Sequence, residues 1–118
     1  MPPNPRQFLP LKPVDFQLLL ALAEGERHGY GLVQAIAEHT QGIVTLEPGN
    51  LYRIIKRLLA DGLVAETDRR AVPELDDERR RYYRLTALGG RVLAEEVRRL
   101  EALVRSPVVR AVVQRWAT

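Results

Sequence analysis

The chain has 118 residues, no cysteine, two histidines, a single serine (Ser106) and a formal net charge of +3. That length suits one domain around one core, and 46% hydrophobic with 28% charged residues describes a globular chain rather than a disordered one. Without cysteine there is no disulfide framework, thiolate zinc site, iron–sulfur cluster or thiol nucleophile.

Two histidines alone make a poor metal site, and no His–carboxylate pair has a recognisable catalytic spacing, so neither an enzyme nor a cofactor is expected. No stretch approaches the roughly 18 consecutive apolar residues of a membrane span. Met1–Pro13 also lacks the apolar run of a signal peptide. The expected setting is the cytoplasm, away from membranes.

Residues 1–13 read as an extended arm, because Pro2, Pro3, Pro5, Pro10 and Pro13 remove helix donors. A first helix is expected over Val14–Ala23, with Pro13 at its first position and Glu24-Gly25-Glu26 as its stop. A second follows from about Tyr30 to Thr40, burying Leu32, Val33, Ile36 and Ala37, and Gly42 closes it. His28, just before it, reads as a turn or cap residue, and His39 as exposed. The third helix starts at Pro48, carries the stripe Leu51, Ile54, Ile55, Leu58 and Leu59, and ends at Gly62.

The apolar period then shortens to about two. Leu63–Thr67 and Arg81–Leu85 are expected strands, joined by a charged loop over Asp68–Arg80. Thr86 caps a fourth helix running to about Arg105, whose Leu93, Val97, Leu100 and Val104 are spaced as heptad a and d positions. Ser106-Pro107 opens a last short helix with Val108, Val109, Val112, Val113 and Trp116 on one stripe.

Three helices, a hairpin and a long helix make a mainly α fold with a small β-hairpin wing: a winged helix-turn-helix plus a C-terminal dimerisation helix. The expected division is an arm over 1–13, a DNA-binding domain over 14–85 and dimerisation helices over 86–118. The third helix would then present its polar face to a major groove. Asn50, Tyr52, Arg53, Lys56 and Arg57 lie on that face, and from Asn50 to Ala60 there are three cations and no carboxylate. A merely solvated helix tends to alternate charge for i, i+4 pairing, which this one does not.

Asn50, Arg53 and Arg57 are the candidates for bases or nearby phosphates, with Tyr52 and Lys56 for the backbone. The Tyr52 ring has the alternative of packing on a neighbouring helix. In the wing, Arg69, Arg70 and Arg81 (with Arg79 and Arg80) are candidates for a minor groove or flanking phosphates; the alternative is a solvated loop whose arginines pair with Glu74, Asp76, Asp77 and Glu78. The heptad seam Leu93, Val97, Leu100 and Val104 points to a homodimer, which would set two reading helices on a pseudo-palindromic operator. Packing of that seam within its own chain is the alternative.

Three linked motifs carry a family resemblance over residues 14–104. His28-Gly29-Tyr30-Gly31 resembles the opening of the second helix in PadR-family transcriptional regulators. Gly49-Asn50-Leu51-Tyr52, with Lys56-Arg57-Leu58 and Gly62-Leu63-Val64, is similar to that family's recognition helix and its exit into the wing. Arg81-Tyr82-Tyr83-Arg84-Leu85-Thr86, followed by Gly89, resembles the second wing strand and the start of the dimerisation helix. The chain departs from the family's common pattern at Asn50 (Ser or Thr), Arg53 (often Pro) and Leu59 (often Glu).

The short C-terminal helix resembles the family's shorter subgroup. The resemblance implies a dimer through the fourth and first helices, and a repressor released by a small hydrophobic or aromatic effector; Trp116 is a candidate either for that effector's site or for core or interface packing. Two other readings stay open: a winged-helix protein-interaction module without DNA, and a small-molecule sensor whose main site is the dimer interface.

Overall fold

Helix boundaries in this chain follow the residues that cap them. The computed structural model describes residues 3–70 and 81–117, the side chains of 68–70 excepted. After a single 3-10 turn at Pro5–Phe8 come α1 (Pro13–Ala23), β1 (Arg27–His28), α2 (Gly29–His39), α3 (Pro48–Ala60), β2 (Val64–Arg70), β3 (Arg81–Leu85), α4 (Ala87–Arg105) and α5 (Pro107–Trp116). This is the expected winged helix-turn-helix order. Among the described residues no helix is long and apolar enough to cross a membrane.

His28 caps α2, its Nδ1 accepting from the Gly31 N–H at 3.1 Å. Thr86 caps α4 through the Gly89 N–H at 3.0 Å, and Ser106 caps α5 through the Val109 N–H at 3.3 Å. At the end of α3, Gly62 takes a left-handed φ of 77° while its N–H donates to Leu59 and the Leu63 N–H donates to Leu58. That is a Schellman closure, which satisfies two of the otherwise orphaned carbonyls. The end of α2 has the same bonds, Gln41 to Glu38 and Gly42 to Ala37, but there the left-handed residue at the cap is Gln41, with φ 51°. Thr40 then secures the turn into α3, its hydroxyl accepting from the Val44 N–H at 3.0 Å.

The core joins Leu18, Leu19 and Leu22 of α1 to Leu32 and Ile36 of α2, and to Leu51, Ile55 and Leu58 of α3. Val92 and Leu93 of α4 and Tyr83 of β3 close it. The sheet has three strands in the order β1-β3-β2, all antiparallel. β1, which pairs Arg27 with Tyr83 and His28 with Tyr82, has no counterpart among the sequence expectations. Two residues are too short to show a period. β2 also runs further than Thr67, and between Glu66 and Arg70 its register slips against β3.

The N-terminal arm is not wholly extended. Asn4 caps the 3-10 turn, accepting from the Arg6 N–H at 3.0 Å, and Pro5 occupies the first helical position, where the missing donor costs nothing. Phe8, Leu9 and Leu11 pack against the core. The Leu11 N–H donates to Glu96 Oε2 at 2.7 Å. Glu96 is 2% exposed and is also ion-paired with Arg99. These bonds keep its carboxyl below the usual range: the Arg99 hydrogen bond acts most, desolvation opposes it, and the Leu11 N–H adds to it.

The seam Leu93, Val97, Leu100 and Val104 divides along the length of α4. Leu93, 7% exposed, is spent in the chain's own core, and Val97 packs against that core. The buried side of α4 is Gly89, Val92, Leu93 and Glu96, because its N-terminal half lies over α1 and the arm. Leu100 is half-buried, and Val104 is exposed together with Leu103.

Candidate nucleic-acid interface

The amphipathic pattern of α3 decides what it shows to solvent. Leu51, Ile55 and Leu58 are buried, so Asn50, Arg53, Lys56 and Arg57 come out on the opposite side. Asn50 and Arg53 are held together, Arg53 Nη2 donating to Asn50 Oδ1 at 3.0 Å. The pair presents an amide and a guanidinium as one donor–acceptor surface, groups suited to base edges.

Tyr52 is half-buried and lies on α2. A Cβ built on Gly29 would stand 2.9 Å from both the Tyr52 hydroxyl and Leu51 Cδ2, so a larger residue at the start of α2 would push those two side-chain ends of α3 aside. This is the packing alternative for the ring. It also gives a physical reason for the glycine in His28-Gly29-Tyr30: the residue is a contact surface for α3. Across the sheet, the His28 ring stacks edge-on to Tyr82, with centroids 5.5 Å apart.

The wing base faces α3 across an open hollow of about 550 Å³. Arg53, Lys56 and Tyr52 line one side, and Glu66, Arg81 and Tyr83 the other. Arg81 is therefore brought to the same concavity as the exposed cations of α3. Its Nε lies 3.4 Å from Glu66 Oε1, so part of its charge is countered at that distance. The side chains of Arg69 and Arg70 lie outside the described residues, as do Arg79, Arg80 and the acidic positions 74–78.

Arg57 differs from its neighbours. Both its terminal nitrogens donate to Asp15, Nη1 to Oδ2 and Nη2 to Oδ1, each at 2.9 Å. Asp15 is 4% exposed and stands in the first turn of α1, where a carboxylate also suits the helix dipole. The hydrogen bonds to Asp15 are the main reason the guanidinium is held above its ordinary range, against a smaller desolvation effect. Composition and spacing miss this pair, because its members are 42 residues apart and neither has a local motif.

At the opposite end of the chain, α5 has no buried residue. Val108 is 74% exposed and Trp116 72%, with Val112 and Val113 also open and Arg115 over the indole at 5.2 Å. With Leu103 and Val104 they form an apolar surface of the kind a lone soluble domain rarely leaves uncovered.

Comparison with known proteins agrees with this layout. The family described as transcriptional regulator PadR-like matches residues 18–95. The transcriptional regulator Rv3488 of Mycobacterium tuberculosis is 37% identical over 92 residues, 78% of this chain and 79% of that protein. A transcriptional regulator from Clostridium thermocellum shares the fold, with a TM-score of 0.64 at 22% identity over 96% of this chain and 93% of that one. So does Bacillus subtilis PadR, solved in complex with operator DNA, with a TM-score of 0.62 at 22% identity over 75% of this chain and 48% of that one.

Proposed function

Because this chain belongs to the PadR-like family of transcriptional regulators, we propose that it binds double-stranded DNA as a homodimeric repressor in the cytoplasm. One observation carries the reading. The exposed side of α3 bears Asn50, Arg53 and Lys56 without a carboxylate, and it opens onto the same hollow as Arg81 of the wing. Asn50 reads base edges, Arg53 reaches bases and the phosphates beside them, Lys56 and Arg81 hold phosphates, and Tyr52 fixes α3 against α2. Arg69 and Arg70 join the phosphate contacts from the wing.

The second copy covers Leu103, Val104 and the valine–tryptophan side of α5, with Leu100 at the edge of the contact. Two reading helices then address a pseudo-palindromic operator. A small apolar or aromatic effector acts at the same surface beside Trp116, where its binding bears on how the two copies meet.

Titration of a random-sequence duplex at two salt concentrations tests the DNA reading. The wild-type protein should bind with a steep salt dependence, and Arg53→Ala or Lys56→Ala should each lower the slope of log K on log salt by about 0.9 per contact removed. Absence of binding at low salt overturns it. A thermal-shift panel of aromatic compounds tests the effector, and a flat response across the panel counts against it.

A further inference from the structure

The recognition helix carries three cations, but their surroundings are unlike. Among the described residues Arg53 is exposed and bonded only to a neutral amide that shares its face, and Lys56 is exposed beside the wing hollow. Arg57 is bound through two parallel hydrogen bonds to Asp15, a carboxylate buried at the start of α1. A bidentate guanidinium–carboxylate pair is the geometrically demanding form of ion pair, and it uses the fork with which an arginine would grip a phosphate or guanine.

From this geometry we propose that Asp15 is a positioning residue for DNA recognition. It withholds Arg57 from the nucleic acid and fixes the angle of α3 through it. The proposal deepens the DNA-binding reading and rests on it. Arg57 stands one turn beyond Arg53, on the same exposed side of α3. A hollow of about 450 Å³, lined by Lys12, Asp15, Arg53 and Arg57, separates α3 from the start of α1. Released from Asp15, Arg57 would be within reach of the backbone that Arg53 addresses.

Its charge would then add a contact that carries no sequence information, because phosphates are alike at every step. Held by Asp15, it adds none. The pair thus keeps affinity from rising at the expense of discrimination. It also ties the reading helix to α1, which packs on α4, so the angle of α3 follows the part of the chain that leads to the apolar C-terminal surface.

The test compares Arg57→Gln, Arg53→Gln and Asp15→Asn with the wild type, using a duplex selected by the wild-type protein and a random-sequence duplex of equal length. Arg53→Gln should lower the salt slope, while Arg57→Gln leaves it unchanged. Asp15→Asn should raise the slope by about 0.9 for each Arg57 set free, or about 3–4-fold in affinity per contact across a fourfold salt range. Its gain should fall mainly on the random duplex, so the ratio between the two duplexes drops.

An Arg57→Gln slope that falls as far as that of Arg53→Gln overturns the proposal. If Arg57→Gln does not fold, Asp15→Asn decides alone, and a slope that is unchanged or lower overturns it. A wild-type protein that binds neither duplex at low salt instead overturns the DNA-binding reading beneath it, a result distinct from either.

Discussion

Gly89 lies directly beneath the carbonyl of Leu63: a Cβ at Gly89 would overlap that oxygen and stand 2.9 Å from Leu85 Cδ1. The contact joins the start of α4 to the exit from α3. The Thr86 N–H donates to the same Leu63 carbonyl at 3.2 Å, and the Thr86 hydroxyl to that of Gly62 at 2.6 Å. In an ordinary helix interior Gly→Ala gains about 1 kcal/mol. Here the backbone overlap reverses the sign, and Gly89→Ala should lose about 1–3 kcal/mol through overpacking. At Gly90 a Cβ meets only Leu85 Cδ2 at 3.9 Å, so Gly90→Ala should gain about 0.5–1 kcal/mol. Urea denaturation of both variants checks the pair, and equal effects would refute the contact.

Glu96 makes stability depend on pH in a defined direction. Its folded pKa is lowered, mainly by the Arg99 hydrogen bond. The folded state therefore binds this proton less readily than the unfolded chain, whose carboxyl titrates near about 4.3. The contribution is fully present above that range and is lost as pH falls through it towards the folded value. Glu96→Gln should be less stable near neutrality, with the deficit shrinking as pH drops below about 4. Denaturation midpoints across this interval measure it; a deficit that stays constant with pH would exclude the carboxylate as its source.

Gln41 holds a left-handed φ of 51° at the cap of α2, where a side chain brings Cβ close to the following carbonyl. Gln41→Gly should therefore stabilise the fold by about 0.5–1 kcal/mol, although glycine loses more freedom on folding. An unchanged or lower denaturation midpoint would show that the strain is relieved elsewhere.

Leu93 and Val104 lie on one expected seam but should respond differently. Leu93→Ala removes a buried side chain and should cost about 2–5 kcal/mol in fold stability. Val104→Ala should change the stability of the single chain by less than about 0.5 kcal/mol while weakening the dimer. Val112→Glu, in the middle of the exposed α5 surface, should yield a monomer by sedimentation. A wild-type protein that is itself strictly monomeric would refute the two-copy arrangement.

The third helix was legible because its signals are local: Pro48 opens it, Gly62 closes it, and a five-residue stripe names its buried side. The capping roles of His28, Thr86 and Ser106 follow from the same short-range chemistry. What sequence reasoning missed depends on distant partners. Arg57 looks like its neighbours until α1 brings Asp15 against it, and Glu96 looks like a solvated helix residue until the arm crosses α4. Heptad spacing marked Leu93 as available, but the period says only that it shares a side with Val97, not whose core that side meets.

The two-residue strand β1 has a consequence beyond its size. It bonds the middle strand of the sheet to the residues that immediately precede α2, and α2 in turn touches α3 at Gly29. The span between wing base and reading helix is therefore set by a hydrogen-bonded ladder rather than by a free tether. On the DNA-binding reading proposed above, a duplex entering that span would meet a fixed gauge. Stretches whose grooves differ in width would have to deform to fit, and stiff ones would resist, which would give discrimination at positions no side chain touches.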